Sequence, residues 1–303
     1  MPNAQPRYRG RFAPSPTGPL HFGSLVAALG SYLDAHAHAG EWQVRIEDLD
    51  PPREAPGATA DIFRTLESLG LHWDGAVLRQ SERADAYHAA LAELERKGAT
   101  YLCACTRREI GDSALAGIDG GLVYPGTCRN GLPSGRVGRA TRVRADDTVI
   151  EFDDAVQGRM RQPLATDVGD FVLRRTDGLF TYQLAVVVDD AAQGITHVVR
   201  GADLLDSTPR QIFLQRLFGV PTPRYLHLPV ATNATGEKLS KQTLAPPINR
   251  ARPGTVLMSA LEFLGQRPDS RLVDAPPAEL LAVAIERWNR TLIPPARAAR
   301  ARD

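Results

Sequence analysis

Two short segments of the sequence carry residue types that suit phosphate chemistry. In the first, RFAPSPTGPLHFGS (residues 11–24), prolines and glycines surround His21 and lead into residues with helical apolar spacing. The prolines hold the chain extended, and Gly18 and Gly23 let the backbone approach a ligand, while a helix that begins near Gly23 offers unbonded amides and a positive dipole end. The segment predicts a polyanion site in which His21 donates to phosphate oxygens, although a proline-rich turn before a capped helix explains the same residues.

The second segment, GEKLSKQ (residues 236–242), places Lys238 and Lys241 on either side of a serine after a glycine turn. This spacing suits a loop that carries cations onto a triphosphate during displacement at the α-phosphate. Lysine-rich loops are usually only solvated, so this segment alone is a weak signal. Together, on opposite sides of an interrupted α/β pattern, the two segments indicate nucleotide chemistry.

The elements that must position these segments follow the pattern of a parallel sheet. A strand, a helix with one apolar face, a second strand and a second helix succeed one another before residue 70, which is typical of α/β folds. Residues 111–138 are rich in glycine and lack periodicity, so they predict an insertion. The predicted strands span residues 7–13, 42–50, 148–152, 170–175, 182–190 and 195–201, and the predicted helices span 58–69, 87–97 and 209–218, with more helices after 246.

Composition narrows the class of protein. The 303 residues are 43% hydrophobic, enough for a sizeable core, and 36 basic and 35 acidic side chains give a formal net charge of +1. A uniformly basic coat for nucleic acid is therefore excluded, although a local patch is not. The sequence has no apolar run of about 18 residues and no secretory signal, which predicts a cytoplasmic protein with no membrane partner.

Three cysteines, Cys103, Cys105 and Cys128, lie close together in and just before the glycine-rich stretch. Their odd number argues against a disulfide framework and leaves metal binding or simple burial. Because zinc prefers four ligands, the spacing of three cysteines leaves both alternatives open.

Acidic residues follow several predicted strands in pairs: Asp48 with Asp50, Asp153 with Asp154, and Asp189 with Asp190. Such pairs can bind magnesium, but acids at strand ends are more often caps or ion pairs, and ATP phosphates hold the ion themselves. We therefore expect caps and ion pairs. The basic tail at residues 296–303 fits either an RNA contact or a frayed end.

The two segments carry a resemblance to a known family. PSPTGPLHFGS resembles the HIGH signature of the class I aminoacyl-tRNA synthetases in its glutamyl form, and KLSKQ resembles their KMSKS loop. The similarity continues through VRIEDLDPPR, RQSERADAYHAAL, FVLRRTDGLFTYQLAVVVDD, ITHVVRGADLL and YLHLPV, over roughly residues 7–245. It implies a Rossmann-like α/β catalytic domain. The implied parts are two catalytic halves at 7–78 and 186–245, a connective insertion at 79–185 with a zinc segment at 101–130, and a short helical region at 246–303.

The resemblance also implies a reaction. Glutamate would attack the α-phosphate of ATP, pyrophosphate would leave, and the glutamyl-adenylate would pass its glutamyl group to tRNA without a covalent enzyme intermediate. The implied cofactors are Mg²⁺ with ATP and a structural Zn²⁺. The implied residues are His21 and Lys241 for catalysis; Arg11, Ser15, Glu47, Tyr182 and Arg200 for glutamate; His21, Gly23, Lys238 and Lys241 for ATP; and Cys103, Cys105, Tyr124 and Cys128 for zinc.

The sequence departs from the glutamyl-tRNA synthetase pattern in three ways. Ser24 stands in place of the second histidine of HIGH, a common change in the glutamyl group, and Val186 stands in place of an asparagine of the substrate pocket. Only a short helical region follows the KLSKQ loop, so no anticodon-binding domain is expected.

This outline resembles the glutamyl-Q tRNA(Asp) synthetases, a paralogous family that transfers glutamate to queuosine in the anticodon loop of tRNA(Asp). The resemblance implies ATP, L-glutamate and queuosine-containing tRNA(Asp) as partners, and an unpaired anticodon-loop base suits a catalytic cleft. Two alternatives stay open: a minimal glutamyl-tRNA synthetase that charges tRNA(Glu), and a catalytically inactive RNA-binding zinc module.

Overall fold

The computed structural model describes residues 7–111, 115–116, 122–239 and 245–301, and its helices and strands alternate as in an α/β protein. The strands are β1 (Arg9–Phe12), β2 (Glu41–Ile46), β3 (Leu78–Arg79), β4 (Thr100–Cys103), β5 (Leu115–Ala116), β6 (Leu122–Val123), β7 (Ala140–Val143), β8 (Val149–Asp154), β9 (Gly158–Pro163), β10 (Val172–Arg174), β11 (His197–Gly201), β12 (Arg224–Leu228), β13 (Val230–Thr232) and β14 (Ala298–Arg300). The α-helices are α1 (Phe22–Ala37), α2 (Ala58–Ser68), α3 (Ala84–Arg96), α4 (Arg107–Gly111), α5 (Leu164–Asp167), α6 (Tyr182–Ala192), α7 (Thr208–Phe218), α8 (Pro253–Phe263) and α9 (Pro277–Glu286).

The central sheet brings the carboxyl ends of its parallel strands to one place. β1 pairs in parallel with β2, and β2 with β3, while β11 pairs in parallel with β12. The two groups join between β1 and β11, where the Thr196 amide donates to the Arg9 carbonyl at 3.0 Å. The resulting order, β3-β2-β1-β11-β12, is the Rossmann order, and it reverses next to the first strand. A ligand crevice is therefore expected beyond the ends of β1 and β11.

Helix α1 covers the junction of the two strand groups and contacts β1, β2 and β11. Its apolar side, including Leu25, Leu29 and Leu33, is fully buried, so the helical face that the sequence predicts is confirmed. Close packing continues at Gly30, where an added Cβ would lie 2.5 Å from a methyl group of Leu228. The glycine therefore lets the middle of α1 approach β12 closely.

The residues between β3 and α6 form a separate antiparallel sheet in the order β10-β7-β4. The β8–β9 hairpin belongs to the same stretch of sequence, yet β8 pairs with β12 of the central sheet through Asp154 and Tyr225. The inserted stretch therefore contacts the edge of the catalytic sheet and supplies it with one buried acidic residue.

One predicted strand is wrong, because residues 182–190 form helix α6, which spans Tyr182–Ala192. The helix packs against α3 and α7, and its residues 184–187 are all buried. A short continuous apolar run does not distinguish a buried strand from a buried helix, which explains the error. Residue 185, where the insertion was predicted to end, consequently lies inside a continuous helix.

The region after residue 246 is helical, as the sequence predicts, and α8 and α9 pack against α1. Asp34 connects α1 to this C-terminal region, since it accepts hydrogen bonds from Trp288 Nε1 at 2.9 Å and from Arg290 Nε at 2.6 Å. The frayed-end interpretation is wrong for Ala298–Arg300, which form β14 in parallel with β13. Among the described helices, none is both long enough and apolar enough to cross a membrane.

Candidate active site and metal centre

A cleft of about 460 Å³ lies at the carboxyl ends of β1, β2, β11 and β12. This is the position that the strand order predicts for a ligand. Each predicted glutamate or ATP residue that the structure describes lines this cleft, namely Arg11, Ser15, His21, Gly23, Glu47, Tyr182, Arg200 and Lys238. Lys241 lies outside the described residues.

The two signature segments meet at the cleft. An added Cβ at Gly23 would lie 3.2 Å from the Leu239 carbonyl oxygen, so the missing side chain lets α1 approach the KLSKQ loop. Beyond the loop, the Ile248 amide donates to the Leu20 carbonyl at 3.1 Å. The residues on both sides of the loop therefore lie against the segment that contains His21.

His21 is the N-cap residue of α1, and its Nδ1 accepts a hydrogen bond from the Ser24 amide at 3.3 Å. Because Nδ1 accepts, the neutral imidazole carries its proton on Nε2, which is the donor that a phosphate oxygen requires. The cap uses the backbone amide of Ser24 and not its side chain. The serine that replaces the second histidine of HIGH therefore leaves the cap intact.

Asp190, Arg11, Arg45 and Glu47 form a buried charge network, here called the Asp190 network. Asp190 of α6 accepts from Arg11 Nε at 3.2 Å and from Arg45 Nη1 at 2.7 Å, and Arg45 Nη2 lies 3.4 Å from Glu47. Burial by itself raises the pKa of Asp190, but the two guanidinium groups outweigh this effect and hold its pKa below the usual value. Asp190 is therefore ionised and connects α6 to both β1 and β2.

A second chain of hydrogen bonds runs from β8 to the cleft. Arg200 Nη1 donates to the Tyr182 hydroxyl and Arg200 Nε donates to His227 Nε2, both at 3.0 Å. His227 Nδ1 lies 2.6 Å from Asp154 Oδ2. Burial, opposed by Asp154, lowers the pKa of His227 to about 4. His227 is therefore neutral at physiological pH and can accept from Arg200.

The inner charges of the cleft suit a small dicarboxylate that carries one ammonium group. Among the described residues that line the cleft, Arg11, Arg200 and Lys238 carry positive charge and Glu47 and Asp203 carry negative charge, which leaves an excess of one positive charge. Burial raises the pKa of Glu47 against the opposing effect of Arg45. An acidic amino acid would neutralise the excess, and its ammonium group would favour the ionised form of Glu47.

Lys238 lines the cleft, whereas Val186 does not. Lys238 Nζ lies 2.6 Å from Asp203 Oδ2, so the first lysine of the loop contacts the segment that follows β11. Val186 is 1% exposed and packs in the core with Phe213 and Tyr225 instead of lining the cleft. The departure from the glutamyl pattern at Val186 therefore lies behind the cleft wall.

The acidic pairs form hydrogen bonds and ion pairs with protein groups, as the sequence predicts, although Asp189 and Asp190 lie in helix α6 and not at the end of a strand. Asp48 Oδ1 accepts from the Ser81 amide at 2.8 Å, and Asp153 lies 3.2 Å from Arg159. Asp189 accepts from the Tyr87 hydroxyl at 2.7 Å. These carboxylates are satisfied by protein groups, so they contribute to the packing of the fold.

The four predicted zinc ligands converge in the inserted stretch. The sulfur atoms of Cys103, Cys105 and Cys128 all lie within 4.8 Å of one another, and those of Cys105 and Cys128 are 3.6 Å apart. The Tyr124 hydroxyl lies 3.5 Å from Cys103 Sγ and 3.4 Å from Cys105 Sγ. The cluster is thus a possible metal site with three sulfur donors and one oxygen donor.

The spacing of this cluster fits zinc. Around a tetrahedral ion with Zn–S of ~2.3 Å and Zn–O of ~2.0 Å, neighbouring ligand atoms lie roughly 3.5–3.8 Å apart. Burial raises the pKa of Tyr124, so a phenolate at neutral pH requires a bound cation. The Cys128 amide donates to the Tyr124 hydroxyl at 2.8 Å and would stabilise such a phenolate. The donor set can therefore hold a zinc ion.

Sequence reasoning missed several residues that support the cleft from behind. Arg45 and His227 lie inside quoted motifs, RIED and YLHLPV, but residue type alone does not show that both are fully buried. Asp154 belongs to the inserted stretch and meets His227 only through the pairing of β8 with β12. A buried histidine opposite an acid on a neighbouring strand is visible only once the sheet order is known.

Comparison with known proteins identifies the family. The family model described as tRNA synthetases class I (E and Q), catalytic domain, matches residues 7–251. The protein named Glutamyl-Q tRNA(Asp) synthetase in Dechloromonas aromatica is 60% identical over 95% of this chain and 96% of its own length. The protein of the same name in Aromatoleum aromaticum is 58% identical over 96% of this chain and 92% of its own length.

A solved structure agrees with this assignment. The glutamate tRNA ligase from Elizabethkingia meningosepticum, crystallised in complex with its amino acid, matches 98% of this chain and 67% of its own chain at a TM-score of 0.79 and 27% identity. The chain therefore belongs to the class I tRNA synthetases of the glutamyl and glutaminyl type. Its curated relatives narrow this class to the family of the glutamyl-Q tRNA(Asp) synthetases.

The close contact at Gly23 yields a first prediction. In Gly23→Ala, the new Cβ lies 3.2 Å from both the Leu239 carbonyl oxygen and His21 Cε1, so the two signature segments must separate by a few tenths of an ångström. We expect adenylate formation, measured by ATP–pyrophosphate exchange, to slow about tenfold with an unchanged melting temperature. The control is Gly111→Ala, whose Cβ would lie no nearer than 4.0 Å to any side chain or backbone that the structure describes beyond its chain neighbours, the nearest being Leu122. Equal rates in the two variants would contradict the prediction.

Proposed function

We propose that this protein activates glutamate with ATP and transfers the glutamyl group to queuosine in the anticodon loop of tRNA(Asp). The observation that carries the proposal is a single cleft in which both signature segments border a buried pocket with one excess positive charge. Membership of the glutamyl-Q tRNA(Asp) synthetase family supports the same reaction. We also propose a cytoplasmic location, because ATP and tRNA are present there.

Glutamate recognition rests on charge. The guanidinium groups of Arg11 and Arg200 bind carboxylate oxygens, and the Glu47 carboxylate binds the α-ammonium group. Tyr182 contacts the substrate beside Arg200, to which its hydroxyl is bonded at 3.0 Å. Ser15 contacts it from the segment that follows β1. Arg11 is already oriented by Asp190, so little side-chain entropy is lost when the substrate binds.

Activation rests on the signature segments. A carboxylate oxygen of glutamate attacks the α-phosphorus of ATP, the bond to the bridging oxygen breaks, and pyrophosphate leaves with its Mg²⁺. His21 Nε2–H donates to the phosphates, and Gly23 lets the backbone approach them. Lys238 and Lys241 supply positive charge as pyrophosphate departs. No protein nucleophile is needed.

Transfer completes the reaction. A hydroxyl of the queuosine cyclopentenediol attacks the carbonyl carbon of the glutamyl-adenylate, its proton is lost, and AMP leaves with the bonding electrons. An anticodon-loop base is unpaired, so it can enter the cleft at a lower cost than a base within a helix.

Zinc has a structural role in this proposal. Cys103, Cys105, Cys128 and Tyr124 hold the ion in a closed set of four ligands, outside the cleft-lining residues. A bound ion stabilises a stretch whose small apolar core consists mainly of these residues and Ala140.

The acceptor assay tests the proposed reaction. Labelled glutamate, ATP and magnesium are incubated with tRNA(Asp) prepared with queuosine, with tRNA(Asp) prepared without it, and with tRNA(Glu). We expect label on queuosine-containing tRNA(Asp) alone, because the attacking hydroxyl belongs to the modified base. Label on tRNA(Glu) would instead identify a minimal glutamyl-tRNA synthetase, and label on no acceptor would favour the inactive zinc module.

The zinc proposal predicts separable effects at two ligands. Cys103→Ser should lose zinc and lower the melting temperature, because ion binding contributes to folding free energy. Tyr124→Phe keeps three thiolates, so zinc should bind more weakly, by about 10- to 100-fold, and be removed by a lower chelator concentration. Zinc content is measured by elemental analysis.

The matched control is Tyr101→Phe, since the Tyr101 hydroxyl in the same segment bonds to Asp170 and not to the cysteines. A Tyr124→Phe variant that holds zinc as tightly as Tyr101→Phe would exclude the phenolate ligand. A chelated wild-type protein that keeps its melting temperature would exclude the structural role.

A further inference from the structure

Behind the cleft, one histidine lies between an acid and a base that do not touch each other. The side chains of His227 and Asp154 are both 0% exposed, and Arg200 is 5% exposed. Arg200 Nε donates to His227 Nε2 at 3.0 Å, and Asp154 Oδ2 lies 2.6 Å from His227 Nδ1. Of the three residues, only Arg200 lines the cleft.

The chemistry of these three groups determines where the histidine proton lies. A guanidinium group has donors only, so His227 Nε2 must accept, and the neutral ring must then carry its proton on Nδ1. Asp154 accepts that proton. Its other oxygen, Oδ1, accepts from the amides of Gln157 at 2.9 Å and Val156 at 3.0 Å, which fixes the orientation of the carboxylate. Asp154 therefore sets the tautomer of His227, as acids do for oriented histidines elsewhere.

Arg200 depends on this acceptor for its orientation. Its remaining hydrogen bonds go to the Tyr182 hydroxyl at 3.0 Å, the Thr208 hydroxyl at 2.9 Å and the Leu204 carbonyl at 3.3 Å. His227 is the partner of Nε, the nitrogen nearest the side-chain stem, so it fixes the plane of the guanidinium group together with the three partners of Nη1 and Nη2. A misoriented guanidinium loses the paired geometry that recognises a carboxylate.

We propose that Asp154 and His227 are positioning residues for the amino-acid pocket, in which Asp154 fixes the Nδ1–H tautomer of His227 and His227 thereby orients Arg200 toward the substrate carboxylate. The inference rests on the proposed role of Arg200 in binding glutamate. Because Asp154 lies on β8, it also gives the inserted stretch an indirect part in substrate recognition, through His227 and Arg200. Neither residue touches the substrate.

The substitution Asp154→Asn tests the tautomer with almost no change of volume. The asparagine oxygen still accepts from the backbone amides, while its NH₂ group replaces Oδ2 and donates to His227 Nδ1. The ring proton then moves to Nε2. Because Arg200 Nε also carries a proton, two hydrogen-bond donors face each other and the bond between His227 and Arg200 is lost. We expect the KM for glutamate in ATP–pyrophosphate exchange to rise about tenfold or more, with a much smaller change in the KM for ATP.

The matched control is Asp153→Asn, the same substitution one residue earlier, at a side chain that is 73% exposed and pairs with Arg159. It should leave both KM values unchanged. The tautomer is measured directly by two-bond ¹H–¹⁵N correlation spectra of histidine-labelled protein, with His227→Asn used for assignment. Wild type should show His227 protonated at Nδ1, and Asp154→Asn should show it protonated at Nε2, a shift that a purely structural role would not produce.

A second pair of variants keeps the test valid if Asp154→Asn fails to fold. The side chain of His227→Gln is long enough to offer an acceptor to Arg200, whereas that of His227→Asn reaches only toward Asp154. We expect His227→Gln to retain a glutamate KM within about threefold of wild type and His227→Asn to raise it about tenfold.

The outcomes separate this inference from the function on which it rests. If wild type supports no glutamate-dependent exchange, the proposed function fails and this inference fails with it. If wild type is active but Asp154→Asn leaves the glutamate KM unchanged, or raises the glutamate and ATP KM values equally, the positioning role alone is overturned. A wild-type His227 protonated at Nε2 would overturn it as well.

Discussion

The ion pairs of Asp190 are the interaction on which the rest of the site depends. This one carboxylate, near the end of α6, bonds to Arg11 on β1 and to Arg45 on β2, and its side chain is only 9% exposed. Removal of one partner from such a buried set typically costs about 3–5 kcal/mol, because the remaining charges are left uncompensated. The network therefore fixes the distance between the first half of the sheet and the helix that carries Tyr182. The proposed glutamate pocket lies between these two elements.

The same network explains why several guanidinium groups can lie close together without strong mutual repulsion. Asp190 and Glu47 offset the charges of Arg11 and Arg45, and the positive charge of Arg200 matches an acidic amino acid. Two contacts that need a glycine place α1 beside this pocket: Gly23 lies against Leu239 of the KLSKQ loop, and Gly30 lies against Leu228 of β12. The packing of α1 on the sheet therefore places the amino-acid pocket and the phosphate-binding segments side by side.

Much of this arrangement is predictable from the sequence, and the exceptions arise from burial that hides periodicity and from contacts between distant segments. The α/β alternation, the broken periodicity of the insertion and the residues of the two signature segments depend on local patterns, and the structure brings eight of the predicted ligand-binding residues to one cleft. The α6 helix was predicted as a strand because burial on most sides removes its periodicity. β14 was missed because a basic tail gives no sign that it will pair with β13. Arg45, Asp154 and His227 depend on contacts between distant segments, which no local pattern encodes. The division into two catalytic halves around the insertion, like the individual roles of the site residues, stays a prediction.

A buried pocket with one excess positive charge should select glutamate over an amino acid with a neutral side chain. The most direct measurement is ATP–pyrophosphate exchange by the wild-type protein with glutamate, glutamine or aspartate as the only amino acid, each with and without tRNA(Asp). We expect exchange with glutamate at a kcat/KM at least about a hundredfold above that for glutamine, since glutamine leaves the excess charge unneutralised. We also expect a clear preference for glutamate over the shorter aspartate. Exchange with glutamine equal to that with glutamate would contradict the first expectation, because the charge of the pocket would then play no part in the choice of substrate.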